Sequence, residues 1–218
     1  MDGAAAFVPE TTDLGELKAA ATGCRGCHLH ENATQTVFGR GDSHARLVFV
    51  GEQPGDVEDR QGLPFVGPAG RLLRRAVDDV GIDPSQLYIT NAVKHFKFVQ
   101  RGPRRIHQNP DRVEIVACRP WLVAEFALLE PVGVVALGAT AAQALMGPSF
   151  RVTKQRGQIM PWPASAAEPD AYPPGDGKTF VMATLHPSAI LRADNQDIAY
   201  AGFVDDLKVA ATALTQRS

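Results

Sequence analysis

A carboxylate and an amide stand together in Gly51-Glu52-Gln53-Pro54-Gly55, where two glycines and a proline forbid continued strand and force a sharp loop. A carboxylate can take a proton or balance a positive charge, and an amide presents a donor beside an acceptor. Asn91 adds a second amide, costly to bury unpaired and matched to the edge of a pyrimidine. His186, in His186-Pro187-Ser188, and His107, at the end of Arg104-Arg105-Ile106-His107, add imidazoles. A histidine among arginines is ordinarily one more phosphate contact, and a neutral imidazole is also a competent nucleophile. Cys24-Arg25-Gly26-Cys27 has the spacing to grasp a zinc or iron–sulfur centre. A redox pair is the rival reading, but no strand precedes it. With Cys118 the cysteines number three, an odd count that argues against disulfides in a reducing compartment.

These residues must be carried by strands. Residues 47–50 form a continuous β-branched and aromatic run, the pattern of a strand buried on both faces, and residues 87–93, 132–137 and 179–185 repeat it. Helices are expected over 13–21, capped by Thr11, Thr12 or Asp13, and from Pro68 through Leu72, Leu73, Ala76, Val77 and Val80. Others follow from Asn109-Pro110, with Pro120 expected to kink or divide the helix, over 139–146, and over 200–214. Residues 151–162 read as a hairpin or extended pair, and 161–178, with five prolines, as an exposed excursion. Strands alternating with helices predict an α/β fold, a three-layer α/β/α sandwich around a central four-stranded parallel sheet. Three of the four strands end in chemistry (Glu52 and Gln53, Asn91, His186), at the sheet edge where such folds bind ligands. Phe65, in the loop before the Pro68 helix, is either a core plug or a flat stacking surface.

One domain over residues 1–218 is expected from 218 residues with 44% hydrophobic content. Neither a signal peptide nor a membrane-spanning run is read, so a cytoplasmic protein is expected. The net charge of −2 speaks against a nucleic-acid binder, but its distribution reverses that. Lys94, Lys97, Arg101, Arg104, Arg105 and Arg112 stand against Asp111 alone, leaving the remaining chain at −7. A basic stripe on an acidic body suits phosphate contact, and Gly102 and Pro103 predict an irregular surface loop there.

Gly51-Glu52-Gln53-Pro54-Gly55, Leu63-Pro64-Phe65-Val66-Gly67-Pro68-Ala69-Gly70, the strand ending in Asn91 and His186-Pro187-Ser188 together resemble the iron–sulfur uracil-DNA glycosylases, over nearly the whole chain. Gln53, where ordinary members carry alanine, and the basic insertion over 96–110 resemble the uracil-DNA glycosylase X branch, although that branch's loop usually opens with lysine where Pro103 or Arg104 stands here. The resemblance implies excision of uracil from DNA, single-stranded by preference, by a monomer. Phe65 would stack the base, Asn91 and the Gly51–Gln53 backbone would bind it, and His186 would stabilise the departing anion. Ser188, Arg192, Arg104 and Arg105 would hold phosphates, and Ile190 or Leu191 would wedge into the stack. His107 would capture the sugar carbon C1′ covalently, assisted by Glu52, Gln53 and Asp56. A [4Fe–4S] cluster is implied, held by Cys24, Cys27, Cys118 and His95, which stands where hydrolytic relatives have cysteine. His28, His30 and His44 are rivals for the fourth place, and a Cys₃His zinc site is the alternative on spacing.

Overall fold

The computed structural model describes residues 3–162 and 179–217. Four short apolar segments, β2 (Leu47–Gly51), β3 (Leu87–Asn91), β6 (Gly133–Leu137) and β8 (Phe180–Thr184), pair in parallel in the order β3-β2-β6-β8. In register, Gly51 lies opposite Asn91 and Leu137 opposite Thr184, so these strands finish level with one another. Two two-residue strands extend the expected sheet antiparallel at its edges, β1 (Arg40–Gly41) on β3 and β7 (Met160–Pro161) on β8.

The strands are covered on both faces, and their side chains alternate between two cores. Val48, Val50, Val134, Ala136 and Val181 pack with Leu122 and Phe126 of α4 (Arg112–Leu129) and Leu145 of α5 (Ala139–Met146). Leu47, Phe49, Val135, Leu137 and Met182 pack with Leu73 and Val77 of α3 (Pro68–Asp79) and Phe203 and Leu207 of α8 (Gln196–Thr215). A third cluster joins Leu17 and Ala21 of α1 (Leu14–Ala21) to Cys24, Cys27, Cys118 and Trp121. Short helices α2 (Asp56–Gln61), α6 (Val152–Gln155) and α7 (Pro187–Ile190) are the remaining α-helices among the described residues, with Asp13 capping α1 as expected.

Three local expectations are corrected. The basic segment is a hairpin, β4 (Phe98–Arg101) paired with β5 (Arg104–His107), turned at Gly102-Pro103 with Gly102 at φ +56°. Glycine and proline there make the tight turn rather than an irregular loop. Helix α4 begins after Asp111, whose side chain accepts from the Glu114 amide in a capping box, and it runs undivided through Pro120. Packing of Cys118, Trp121 and Leu122 on either side of the proline holds the helix together against its local preference. Residues 151–162 hold no pair of their own: a short helix is followed by β7 alone, which pairs with β8. Most of the proline-rich excursion lies outside the described residues.

Candidate active site

All four parallel strands deliver polar groups to one edge. Gly51, at the tip of β2, is a point of close approach: a methyl group there would stand 2.3 Å from Asn91 Oδ1 and 2.6 Å from the Phe65 ring. Asn91 is 2% exposed and its Oδ1 has no hydrogen-bond partner among the described residues. An unpaired buried acceptor costs about 1–3 kcal/mol unless a ligand satisfies it. Phe65 holds the left-handed conformation at φ +53°, rare for an aromatic residue, and its ring lies 6.0 Å from that of His186. Its loop is fastened by Glu58, whose Oε1 accepts from the Gly67 amide at 2.7 Å. Phe65 is thus buried in the second core, as the core-plug reading expects, with its ring beside Gly51 and His186.

His186 follows β8. Its Nδ1 accepts from the Ser188 amide at 3.1 Å and stands 2.8 Å from the Ser188 hydroxyl, so its proton lies on Nε2. Burial, with the charges of Arg192 and His107 adding, lowers its pKa to about 4. At neutral pH it is an uncharged donor. Ser188, expected to hold phosphate, is engaged in fixing this tautomer. Ile190 is buried at 1% exposure in the core, which corrects its place as a wedge, whereas Leu191 is exposed.

The hairpin closes over this edge. Gln53 is 7% exposed, and both ends of its amide are used: Oε1 accepts from the Lys97 amide at 3.0 Å, while Nε2 donates to the carbonyls of Lys97 and Gln108 and reaches His107 Nε2 at 2.9 Å. The two hydrogens of that amide are shared among three acceptors when His107 carries its proton on Nδ1, the tautomer that leaves a lone pair on Nε2. Glu52 Oε1 is 3.4 Å from the same Nε2. The other Glu52 oxygen accepts from the hydroxyl of Thr140 at the start of α5. Partial burial pulls the pKa of His107 below its ordinary value, with Glu52 opposing and Arg192 adding to the fall.

Arg105 and Asp56 lie behind the hairpin. Arg105 Nη1 donates to Asp59 Oδ2 at 2.6 Å and to Thr34 Oγ1 at 3.1 Å, and its Nε to Asp56. Its guanidinium is 5.0 Å from the Phe98 ring centre and its side chain only 10% exposed. The structure therefore turns Arg105 inward and sets Asp56 against Arg105 and Arg60 rather than against His107. Arg104 and Arg192 are exposed. Sequence reasoning missed Thr140. Its signal was position, since it stands just past the tip of the one parallel strand to which no chemistry was assigned.

Beside this edge lie the thiols. Cys24 Sγ accepts from Trp121 Nε1 at 3.1 Å and Cys118 Sγ from the Lys94 amide at 3.2 Å. Burial pushes the Cys118 thiol up to about 12, with the charges of Cys27 and Cys24 adding to the rise. Such thiols are held as thiolates by the positive charge of a metal. Among the described residues no three His, Cys, Asp or Glu side chains gather as a single-ion site requires. Of the histidines, His95 is 3% exposed with Nε2 2.9 Å from Thr36 Oγ1. His28 pairs with Glu114, His30 Nδ1 meets the Cys27 carbonyl, and His44 lies with Asp42 at the surface. Three soft sulfurs and a neutral imidazole are a donor set suited to an iron–sulfur cluster.

Such an edge defines a class first: α/β proteins that bind their ligands where the tips of parallel strands meet the starts of helices. Residues 38–208 match the uracil DNA glycosylase superfamily. The chain is 37% identical over 176 residues to the Type-4 uracil-DNA glycosylase of Thermotoga maritima, covering 80% of this chain and 81% of that one. It is 36% identical over 190 residues to that of Pyrobaculum aerophilum (83% and 85% covered) and 34% over 187 to that of Sulfurisphaera tokodaii (84% and 77%). The chain belongs to the uracil-DNA glycosylase superfamily.

Proposed function

We propose that this protein excises uracil from DNA and binds itself covalently to the resulting abasic site through His107, as in the uracil-DNA glycosylase X branch. The activity itself rests on the family and on the name its relatives carry. A base within a duplex is out of reach, so the substrate is a flipped or single-stranded nucleotide, single strands being preferred. Phe65 stacks on the ring. Asn91 Oδ1 accepts from uracil N3–H, a position where cytosine carries no hydrogen, and backbone amides of the Gly51–Gln53 loop add donors. As the bond from C1′ to N1 breaks, its electron pair leaves with uracil, and His186 Nε2–H donates to the developing anion.

Positive charge then grows at C1′. The observation that carries the proposal is the place of His107 Nε2, 2.9 Å from Gln53 Nε2 and 3.4 Å from Glu52 Oε1, at the edge where the sugar would lie. The Nε2 pair forms the new carbon–nitrogen bond, the Nδ1 proton passes to solvent, and Glu52 offsets the charge as it moves from sugar to ring. Alkylated imidazole is a poor leaving group, so the adduct persists. Arg104 and Arg192 meet phosphates, while Arg105, with Asp56, anchors the hairpin and replaces the phosphate contact expected of it.

Cys24, Cys27, Cys118 and His95 would hold a [4Fe–4S] cluster that ties the N-terminal turn to α4 and the root of the hairpin. One single-domain monomer, with residues 96–110 as its insertion, suffices for this chemistry. The test is a denaturing gel after mixing the full chain with uracil-containing single-stranded DNA. A retarded adduct is expected from the wild type and none from His107→Ala. Free uracil in excess of protein, with no adduct, would replace the proposal by a hydrolytic, multiple-turnover enzyme.

A further inference from the structure

We infer that Thr140 is a positioning residue that aims Glu52 at His107, an inference that rests on the capture reading above. Glu52 hangs from the loop after β2, with its side chain 17% exposed, and both carboxylate oxygens have separate assignments. One faces His107 Nε2 at 3.4 Å; the other accepts from the Thr140 hydroxyl. Without that hydroxyl the second oxygen faces no other donor among the described residues, and the carboxylate is free to rotate about its side-chain bonds. Thr140 is the second residue of α5, where the positive end of the helix favours an anion. Gly138, at φ +90° with the His186 side chain packed over it, fixes how β6 passes into that helix. Thr140 therefore belongs to the rigid frame, whereas Glu52 lies in the loop.

The carboxylate is needed only when C1′ and then the imidazole ring carry positive charge. Its aim thus affects the bond-forming step and leaves DNA affinity alone. Thr140→Val keeps the shape and removes the donor; Thr140→Ser keeps the donor and removes a methyl group. Adduct formation would be followed by denaturing gel across a range of full-chain protein concentrations on one uracil-containing oligonucleotide, with free uracil measured in the same reactions. Thr140→Val should lower the maximal capture rate about tenfold, the usual weight of a hydrogen bond to a charged group. Half-saturation should stay put, and Thr140→Ser should come within about twofold of wild type. Thr140→Ala provides the same readout if valine disturbs the fold in a thermal melt.

Wild-type rates in both donor-less variants, a loss confined to half-saturation, or a loss that serine fails to rescue would each overturn the inference. A wild-type chain that releases uracil without an adduct overturns the capture reading alone, and the same three-way comparison on uracil release still decides Thr140. A wild-type chain that does neither removes both.

Discussion

In the proposed capture His107 acts only while its Nε2 lone pair is available, so its protonation would set the low-pH limit of that step. Burial holds its pKa below the ordinary value of about 6.5, so the ring is neutral at pH 7 and the capture rate should fall only below that pH. The sign of the neighbouring charges makes the point testable. Arg192 lowers the His107 pKa, so Arg192→Gln should move the acid limb of the capture rate to higher pH. A limb that stays put or moves down in that variant would show that another group governs it. Glu52, Gln53, Asn91 and His186 were legible in the sequence because polar residues at the ends of apolar runs are conspicuous. Thr140 was not, because a threonine in the first turn of a helix is unremarkable until the neighbouring strand tip is known.

At the scale of elements, the hairpin decides whether His107 is in place, and three separate fastenings hold it. Gln53 grips its root through Lys97 and Gln108. Lys97 Nζ reaches Glu114 in α4 at 2.8 Å, and Arg105 reaches α2. Alternation places Phe98, Gln100, Arg105 and His107 on one face and Val99, Arg101, Arg104 and Ile106 on the other, with Val99 and Ile106 exposed as a cross-strand pair. The sequence marked this stretch as basic and surface-bound, but its strand character was hidden by charge, and which arginine turns inward depends on pairing register. Arg105→Met strips the counter-charge from Asp59, whose side chain is fully buried. It should cost roughly 3 kcal/mol in chemical denaturation and speed amide exchange from Phe98 to His107, while Gln53 and Lys97 keep the root attached. A variant as stable as wild type would mean that the guanidinium is not the strut described.

For the molecule as a whole, the parallel sheet was readable from four apolar runs and its layers from helix periodicity, whereas the buried charge beneath the site was not. Lys94 sits in a basic stretch that reads as surface, yet it is fully buried. Its Nζ lies 2.5 Å from Glu125 Oε2 and donates to Thr90 Oγ1 at 2.6 Å and the Asn91 carbonyl at 2.9 Å. Glu125 also accepts from Tyr88 and Thr90, so β3, α4 and the backbone of Asn91 share one network. Through its amide the same Lys94 donates to Cys118 Sγ, which links Cys118 and the end of β3 at Asn91 through one residue. Burying such a pair gains little over apolar packing, but breaking it leaves a lone charge without water. Lys94→Met should therefore destabilise the protein by roughly 3–5 kcal/mol. The double variant Lys94→Met with Glu125→Gln, which removes the second charge yet keeps an acceptor for Tyr88 and Thr90, should lose markedly less. Urea unfolding of the wild type, both single variants and the double variant measures the coupling directly. Additive losses would mean that the ammonium and the carboxylate do not depend on one another, and that Asn91 is held by the strand alone.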